Sequence, residues 1–116
     1  MADKNAPPRP VKGGPTAEEL STFEAKYQRI AHVIGAGESW HVVFRKPTRQ
    51  EYKQFKARLS NPQQAPDAQE ILTRNIVVWP STEQYDALLE DYPGIPEACS
   101  DALMKLAGMR GDEEAK

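Results

Sequence analysis

The stretch from Trp40 to Phe55 constrains the fold most strongly, because it carries the signals for a strand, a corner and a helix in immediate succession. The residues before Pro47 are rich in β-branched and aromatic side chains, which favour a strand. Pro47 lacks a backbone N–H and pushes Lys46 towards an extended conformation, so the strand has to end there. Residues 48–51 form a capping box, which starts a helix. We therefore predict a strand, a proline corner and an amphipathic helix.

The residues before this stretch predict a partner for its strand. Apolar residues recur between positions 30 and 34, and the sequence Gly35-Ala36-Gly37-Glu38 then favours a turn. Two β-prone runs around a short glycine-containing loop predict a β-hairpin. One face of the second strand carries Trp40, Val42 and Phe44, and the other carries His41, Val43 and Arg45. Because a lone hairpin is marginal in water, we expect the Trp40 face to pack against helices or against strands of another chain.

Capping signals and apolar stripes predict about four short helices. The helical patterns begin after Thr16, Thr48, Asp67 and Ser81. The β-branched run at 76–79 favours an extended end to the third pattern. Helices segregated from a small antiparallel sheet define an α+β domain. We therefore predict a single α+β domain over residues 16–108, with a small antiparallel β-hairpin packed against about four short helices.

The two ends of the chain and its composition further limit the class of protein that this sequence can encode. Residues 1–15 are rich in proline and residues 109–116 are polar, so both are predicted to be disordered tails. The formal net charge of -2 argues against a dedicated nucleic-acid binder, which is usually basic. The single cysteine, Cys99, excludes an intramolecular disulfide and favours a reducing compartment. No apolar run approaches the roughly 20 residues that span a bilayer. The N-terminus has no apolar signal core, so we expect neither a membrane partner nor export.

Few side chains in the sequence are candidates for catalysis or metal binding. His32 and His41 fall in neighbouring predicted strands, but no metal-binding spacing accompanies them, and we favour two partly exposed strand histidines over a metal site. Cys99 lies on an apolar helical stripe, which favours a buried structural thiol over a nucleophile. We therefore predict no catalytic, metal-binding or cofactor-binding residue, and a protein that is not an enzyme.

Charge is divided between two parts of the chain. The cations Arg45, Lys46, Arg49, Lys53, Lys56 and Arg58 are opposed within their own segment by Glu51 alone. An acidic run follows later, with Glu83, Asp86, Glu90, Asp91, Glu97 and Asp101. The two groups could neutralise each other within one chain or between the copies of a homo-oligomer. Alternatively, the cations could attract an acidic partner, or both groups could be ordinary surface charge.

The order of these motifs resembles that of the tail assembly chaperones of long-tailed bacteriophages, which are small proteins encoded between the tail tube and the tape measure protein. The resemblance begins with an aromatic-Arg-Lys-Pro strand end at 44–47 and the Thr-Arg-x-Glu-Tyr helix start at 48–52. It continues with Val-Val-Trp-Pro-Ser at 77–81 and Leu-Leu-Glu-Asp-Tyr-Pro-Gly-Ile at 88–95. A closing helix that ends in Leu-Ala-Gly completes a pattern over residues 17–108.

The resemblance implies a non-enzymatic protein that coats the long, apolar, helical tape measure protein before the tail tube polymerises around it. The tail tube protein is a second partner that the resemblance allows. Such chaperones are similar in acting in the cytoplasm of the bacterial host and in being absent from the mature virion. Many are made in two lengths, by a ribosomal frameshift near the end of the shorter gene.

A partner for such a client needs an apolar groove rimmed by charge, in which aromatic side chains serve as anchors. The predicted partner-binding residues are Trp40, Arg45, Lys46, Arg49, Lys53, Trp79 and Tyr92. We expect Trp79 and Tyr92 to be exposed, because each stands beside a proline at the end of an element. Two other functions remain open at this point. One is a small adaptor or inhibitor that binds a host protein, and the other is a nucleic-acid-binding module that uses the basic residues 45–58.

Overall fold

A computed structural model describes residues 14–108, so the tails predicted at 1–15 and 109–116 lie outside the described residues, apart from positions 14 and 15. The elements, in chain order, are α1 (Ala17–Tyr27), β1 (Ile30–Ile34), β2 (His41–Arg45), α2 (Arg49–Leu59), α3 (Ala68–Ile76), β3 (Val77–Trp79), α4 (Thr82–Asp91), α5 (Ile95–Ala98) and α6 (Ser100–Leu106). They form one α+β domain with an antiparallel sheet, which confirms the predicted fold class.

Local capping residues set the start of three helices. At α2 the Glu51 N–H donates to Thr48 Oγ1 at 3.1 Å, and Glu51 Oε1 accepts from the Thr48 N–H at 2.9 Å. The same reciprocal pair begins α1 at Thr16 and α4 at Ser81, so all three predicted boxes are confirmed. The predicted cap at Asp67 is wrong. Its φ of -101° and ψ of -1° belong to the end of a short 3₁₀ turn, and its side chain makes no capping bond.

The sheet has three antiparallel strands in the order β1-β2-β3. β1 and β2 form the predicted hairpin, in which Ile30 is opposite Arg45 and Ile34 is opposite His41. β3 joins the other side of β2, with Trp79 opposite Val43. The sequence predicted the extended conformation around Val77, but it did not predict pairing with β2. That pairing spans more than thirty residues of chain, and no local pattern encodes it.

The closing segment is divided into two short helices. α5 ends at Ala98, and Cys99 has a φ of -91° and a ψ of 2°, so the chain changes direction before α6 begins. Gly108 then ends the fold in a left-handed conformation with a φ of +80°, and its N–H donates to the Lys105 carbonyl oxygen at 3.1 Å. A glycine in this conformation is a common C-terminal cap of a helix.

The central strand β2 is buried on both faces. Val42 and Phe44 face the helices, and the ring of Tyr85 on α4 meets Phe44 edge to face with ring centres 6.1 Å apart. Val43 lies on the opposite face and is also fully buried. The core is completed by residues from every helix after α1, among them Phe55, Leu72, Ile76, Leu88, Ile95, Cys99, Leu103 and Leu106. The helices therefore cover the sheet face that carries Val42 and Phe44, as the alternation of residues in β2 predicted.

Two aromatic residues expected at the surface differ in exposure. Tyr92 follows α4 and is 40% exposed, as predicted. Trp79 is only 9% exposed, so the prediction of an exposed side chain is wrong there. The reason is its pairing in β3, because its position opposite Val43 directs its ring to the same covered face of the sheet.

Candidate partner-binding groove

An apolar cleft lies between α2, α3 and α6. Its walls are Tyr52, Phe55, Gln69, Leu72, Ser100, Leu103, Met104 and Ala107. The helix start at Thr48 fixes the phase of α2, so that Tyr52 and Phe55 project towards α6. The Gln69 side-chain amide of α3 donates to Ser100 Oγ of α6 at 3.0 Å, and this hydrogen bond joins the walls formed by α3 and α6. The cleft is therefore a narrow, mostly apolar depression between helices that are tied together.

A basic concavity adjoins this cleft at the start of α2. It is lined by Arg29, Lys46, Pro47, Thr48, Arg49, Tyr52, Leu106 and Ala107. Tyr52 and Ala107 line the apolar cleft as well, so the two depressions adjoin each other there. The cations come from the turn before β1, from the end of β2 and from the first residue of α2, and no one segment of sequence supplies all three.

A third depression continues past α6 towards α1 and the edge of the sheet. Its lining is Glu24, Gln28, Arg29, Ile30, Ala31, Ala102, Lys105 and Leu106. It shares Arg29 and Leu106 with the basic concavity. We call the three connected depressions the α6 groove. Its floor is formed largely by apolar residues of α2, α6 and β1, and Arg29, Lys46, Arg49 and Lys105 supply positive charge along it.

Arg45 lies at the corner between β2 and α2, where its charge is already compensated. Its guanidinium makes a bidentate pair with Glu51, with N–O distances of 2.9 and 2.8 Å, and it also donates to the Lys46 and Asn75 carbonyl oxygens. The hydrogen bonds from Arg45 to Glu51 hold the pKa of the Glu51 carboxyl below its usual value. The acidic run is partly compensated in the same way, since Arg74 makes a bidentate pair with Asp86.

The structure brings together some of the predicted partner-binding residues and separates others. Lys46 and Arg49 line the α6 groove side by side, and Lys46 also donates to the Gln28 side chain at 3.0 Å. Trp40 lies at the far end of β2, where its indole packs against Gly35 so closely that a Cβ atom there would lie 2.5 Å from the ring. Lys53 is exposed on α2, Tyr92 follows α4, and Trp79 is buried. The seven residues therefore do not form one surface.

Several groove residues were not predicted from the sequence. Arg29 and Leu106 were not among the predicted partner-binding residues. Leu106 does belong to the core, at 6% exposure, but it also lines two of the depressions. Met104 and Ala107 flank the same helix end. No short-range signal could have identified them, because the groove exists only after α6 has packed beside β1 and α2.

The two histidines of the hairpin form a hydrogen-bonded pair. His32 Nε2 and His41 Nδ1 lie 3.1 Å apart, so one of these nitrogens carries a proton and the other accepts it. His41 is 7% exposed, which corrects the expectation of two partly exposed rings, because it belongs to the covered central strand. Burial, and then the neighbouring His41, lower the pKa of His32. Among residues 14–108, no group of three or more His, Cys, Asp or Glu side chains is arranged to hold a metal ion.

The remaining reactive groups are buried. Cys99 is fully buried, as predicted, and burial raises the pKa of its thiol to about 12. It is therefore protonated at neutral pH and is a poor nucleophile. Burial also raises the pKa of the Tyr85 hydroxyl, although its contact with the Thr73 side chain works in the opposite direction. Within residues 14–108 this contact is not a well-formed hydrogen bond, and no other partner of the hydroxyl is found. In the same part of the chain, no helix is both long enough and apolar enough to cross a membrane.

Comparison with known proteins gives a family and a fold. A sequence model described as "Domain of unknown function (DUF6848)" matches residues 24–116. No curated protein matches the chain. A solved structure of an uncharacterised protein, rbstp2171 from Bacillus stearothermophilus, is similar with a TM-score of 0.65 and 22% sequence identity. The similarity covers 80% of this chain and 95% of that one, and it supports the fold alone.

Proposed function

This chain belongs to the DUF6848 family, and within that family we propose that it acts as a non-enzymatic assembly chaperone of a long-tailed bacteriophage. Its client is the helical tape measure protein, and the tail tube protein is a second candidate partner. The proposal combines the resemblance in motif order with one observation, the α6 groove. That groove joins an apolar cleft to a basic concavity on a small domain, as a chaperone for an exposed amphipathic helix requires.

The apolar cleft supplies the attraction for the client. A helix docks in such a groove by inserting apolar side chains spaced three or four residues apart, and the hydrophobic effect contributes roughly 25 cal/mol for each Å² that they bury. Tyr52, Leu103 and Met104 line the cleft with large apolar groups. The client keeps its own helix, so binding orders little new backbone and prevents the exposed stripes of neighbouring copies from associating.

The basic concavity supplies orientation. Arg49 is exposed and Lys46 is half-buried, and within residues 14–108 neither makes an ion pair of the bidentate kind that holds Arg45. Cations at the rim of a groove raise the association rate and select a register more than they add affinity. We therefore expect the bound segment to carry carboxylates beside its apolar stripe. Such carboxylates would be attracted by the cations that line the α6 groove, which are Arg29, Lys46, Arg49 and Lys105.

The test is direct binding of the full chain to purified helical fragments of the tape measure protein encoded in the same genome, measured by isothermal titration calorimetry. Ala107→Glu introduces a charge between the apolar cleft and the basic concavity, and we expect it to weaken binding at least tenfold, or about 1.4 kcal/mol. Ala98→Glu is the matched control, because Ala98 is exposed at the end of α5 and does not line the groove.

A second pair of variants tests the cations. Arg49→Glu reverses a groove charge at the first position of α2, where a carboxylate favours the helix. Arg58→Glu makes the same reversal near the other end of α2, outside the groove lining. We expect a loss of affinity in the first variant that shrinks as salt is raised, and little loss in the second. Circular dichroism checks that each variant is folded.

Three outcomes separate this function from the alternatives. No binding to any tape measure or tail tube fragment, together with normal tail assembly in the absence of the protein, rejects the proposal. Binding to DNA or RNA that collapses between low and moderate salt would instead identify the basic residues 45–58 as a nucleic-acid site. A host protein that binds the chain when no phage protein is present would identify an adaptor or inhibitor.

A further inference from the structure

β1 leaves one edge of the sheet open for pairing. The Lys46 N–H donates to the Arg29 carbonyl oxygen, and the Gly35 N–H donates to the Trp40 carbonyl oxygen. These two bonds fix the alternation in the hairpin, so that Ala31 and Val33 bond to β2. The alternate residues of β1 are Ile30, His32 and Ile34. Their backbone N–H and C=O groups therefore point away from the sheet. None of the three bonds to any backbone group in the part of the chain that the structure describes, residues 14–108.

The sequence of this edge lacks the usual protection against pairing. Exposed edges are normally blocked by a lysine, a proline, an inward-pointing charge or a bulge, or are covered by a helix or loop. β1 reads Ile-Ala-His-Val-Ile and contains none of the blocking features, and its pairing with β2 is regular along its whole length. Helices α1 and α6 lie beside Ile30 and Ala31, but in residues 14–108 neither helix bonds to the outward backbone groups of β1. Ile34 is 48% exposed, which is unusual for a β-branched residue in a strand. Within residues 14–108, the strand therefore presents unpaired backbone groups along its edge and exposed apolar surface at Ile34.

The sequence of the edge indicates what occupies it. The outward-bonding positions read Ile, His, Ile from either direction, so an antiparallel pairing of two copies centred on His32 places each of these residues opposite one of its own kind. We propose that the edge of β1 pairs with the same edge of a second copy of this chain, in an antiparallel and two-fold symmetric arrangement. This interface is isologous, which is the commonest way in which identical chains form a closed dimer.

The register follows from the hydrogen-bonding alternation. His32 lies opposite the partner's His32, and Ile30 lies opposite the partner's Ile34. Each opposed pair exchanges two backbone hydrogen bonds, as narrow antiparallel pairs do. The exposed Ile34 is then covered by an isoleucine from the other chain. The arrangement also avoids opposed charges, since Arg29 lies opposite the partner's Gly35 and the lowered pKa of His32 favours uncharged rings at the axis.

The size of the edge sets the expected affinity. A five-residue edge buries less than the roughly 1,200 Å² found in stable complexes, so the dimer should be weak. We expect a dissociation constant on the order of 10–100 µM. Sedimentation velocity across that concentration range should show a monomer that converts reversibly to a dimer. A chain that stays monomeric throughout the range overturns the proposal.

A matched pair of lysine variants tests which surface is used. Ile34 and Leu59 are both 48% exposed, but Leu59 lies at the end of α2, away from the sheet edge. Ile34→Lys places a cation on the edge and should weaken dimerisation at least tenfold. Leu59→Lys should leave it unchanged. Equal effects of the two variants, or a dimer that Ile34→Lys does not weaken, would show that another surface is responsible.

Cysteine cross-linking tests the register itself. In the proposed arrangement His32→Cys brings two thiols into an opposed pair, whose Cα separation of about 5.5 Å is within the range of a disulfide. Ile34→Cys is the control, because its own copy lies four residues further along the partner strand. We expect mild oxidation to link the first variant and not the second, with Cys99 inert in both because it is buried. Efficient linkage of Ile34→Cys alone would contradict the register.

Discussion

Replacement of Glu51 by glutamine isolates the ion pair that joins β2 to α2. Glutamine is compatible with the capping box, because Gln84 already serves in that position at α4 and accepts from the Ser81 N–H at 3.2 Å. The helix start should therefore survive in the Glu51→Gln variant. The variant loses the negative charge that faces Arg45, and one of the two oxygen acceptors becomes an amide nitrogen.

The expected loss of stability follows from the burial of this pair. The Arg45 and Glu51 side chains are 21% and 20% exposed, and their N–O distances are 2.9 and 2.8 Å. A hydrogen bond to a charged group contributes roughly 1.5–3 kcal/mol, whereas exposed ion pairs contribute roughly 0.2–1 kcal/mol. Arg45 keeps its bond to the Asn75 carbonyl oxygen, which limits the cost. We expect a loss of about 1.5 kcal/mol in the free energy of unfolding, or about 6–12 °C in Tm.

Glu19→Gln is the matched control for this measurement. Glu19 occupies the same position in the capping box of α1, with a distance of 2.8 Å to the Thr16 N–H, and no ion pair is found for it in the described chain. Both variants lose the same favourable interaction with a helix N-terminus, roughly 0.3–1 kcal/mol. Urea unfolding at pH 7 gives both values, and their difference reports the Arg45 pair.

The pH dependence supplies an independent check. The hydrogen bonds from Arg45 lower the pKa of Glu51 in the folded state, so its contribution to stability is present above the unfolded pKa and disappears as pH falls through the folded pKa. The difference between wild type and Glu51→Gln should therefore shrink below about pH 4. Equal losses for the Glu51 and Glu19 variants at pH 7, or a difference that does not change on acidification, would refute the reasoning.

Three further predictions concern single side chains. Cys99 should react with a thiol reagent only after unfolding, because burial raises its pKa to about 12, and a fast reaction in native buffer would contradict that burial. Tyr85→Phe should change the free energy of unfolding by less than about 1 kcal/mol, since the hydroxyl that it removes makes no well-formed hydrogen bond within residues 14–108, and a larger loss would reveal a bond to Thr73. Gly37→Ala should cost about 1 kcal/mol, because its φ is +63°, whereas Gly94→Ala at a φ of -84° should be nearly neutral.

Short-range chemistry accounts for the features that the sequence predicted well. The capping residue Thr48 and the proline before it define the start of α2 without reference to any other part of the chain. The hairpin was predicted for the same reason, since its turn and its alternating faces are encoded within sixteen residues. Asp67 failed as a cap because residue type alone does not specify the extended backbone that an N-cap needs.

Features that depend on distant parts of the chain were not predictable. Trp79 resembled an exposed anchor beside a proline, and only its pairing opposite Val43 covers it. Arg45 was grouped with the other cations, although Glu51 compensates its charge through a geometry that spacing alone does not specify. The α6 groove combines residues separated by as many as 83 positions, from Glu24 to Ala107, and its shape is a product of tertiary packing.

The position of Gly108 has a practical consequence for any longer or tagged form of the protein. Ala107 lines the groove and Gly108 follows it directly, so a segment fused after Lys116 is connected to the groove rim through residues 109–116. Such tethering raises the local concentration of the attached segment to the millimolar range for short flexible connections. A C-terminal fusion would thus compete with a client for the groove. Gly14 instead approaches the ring of His41, at the end of β2 remote from Arg45, so an N-terminal tag is the better choice for binding experiments.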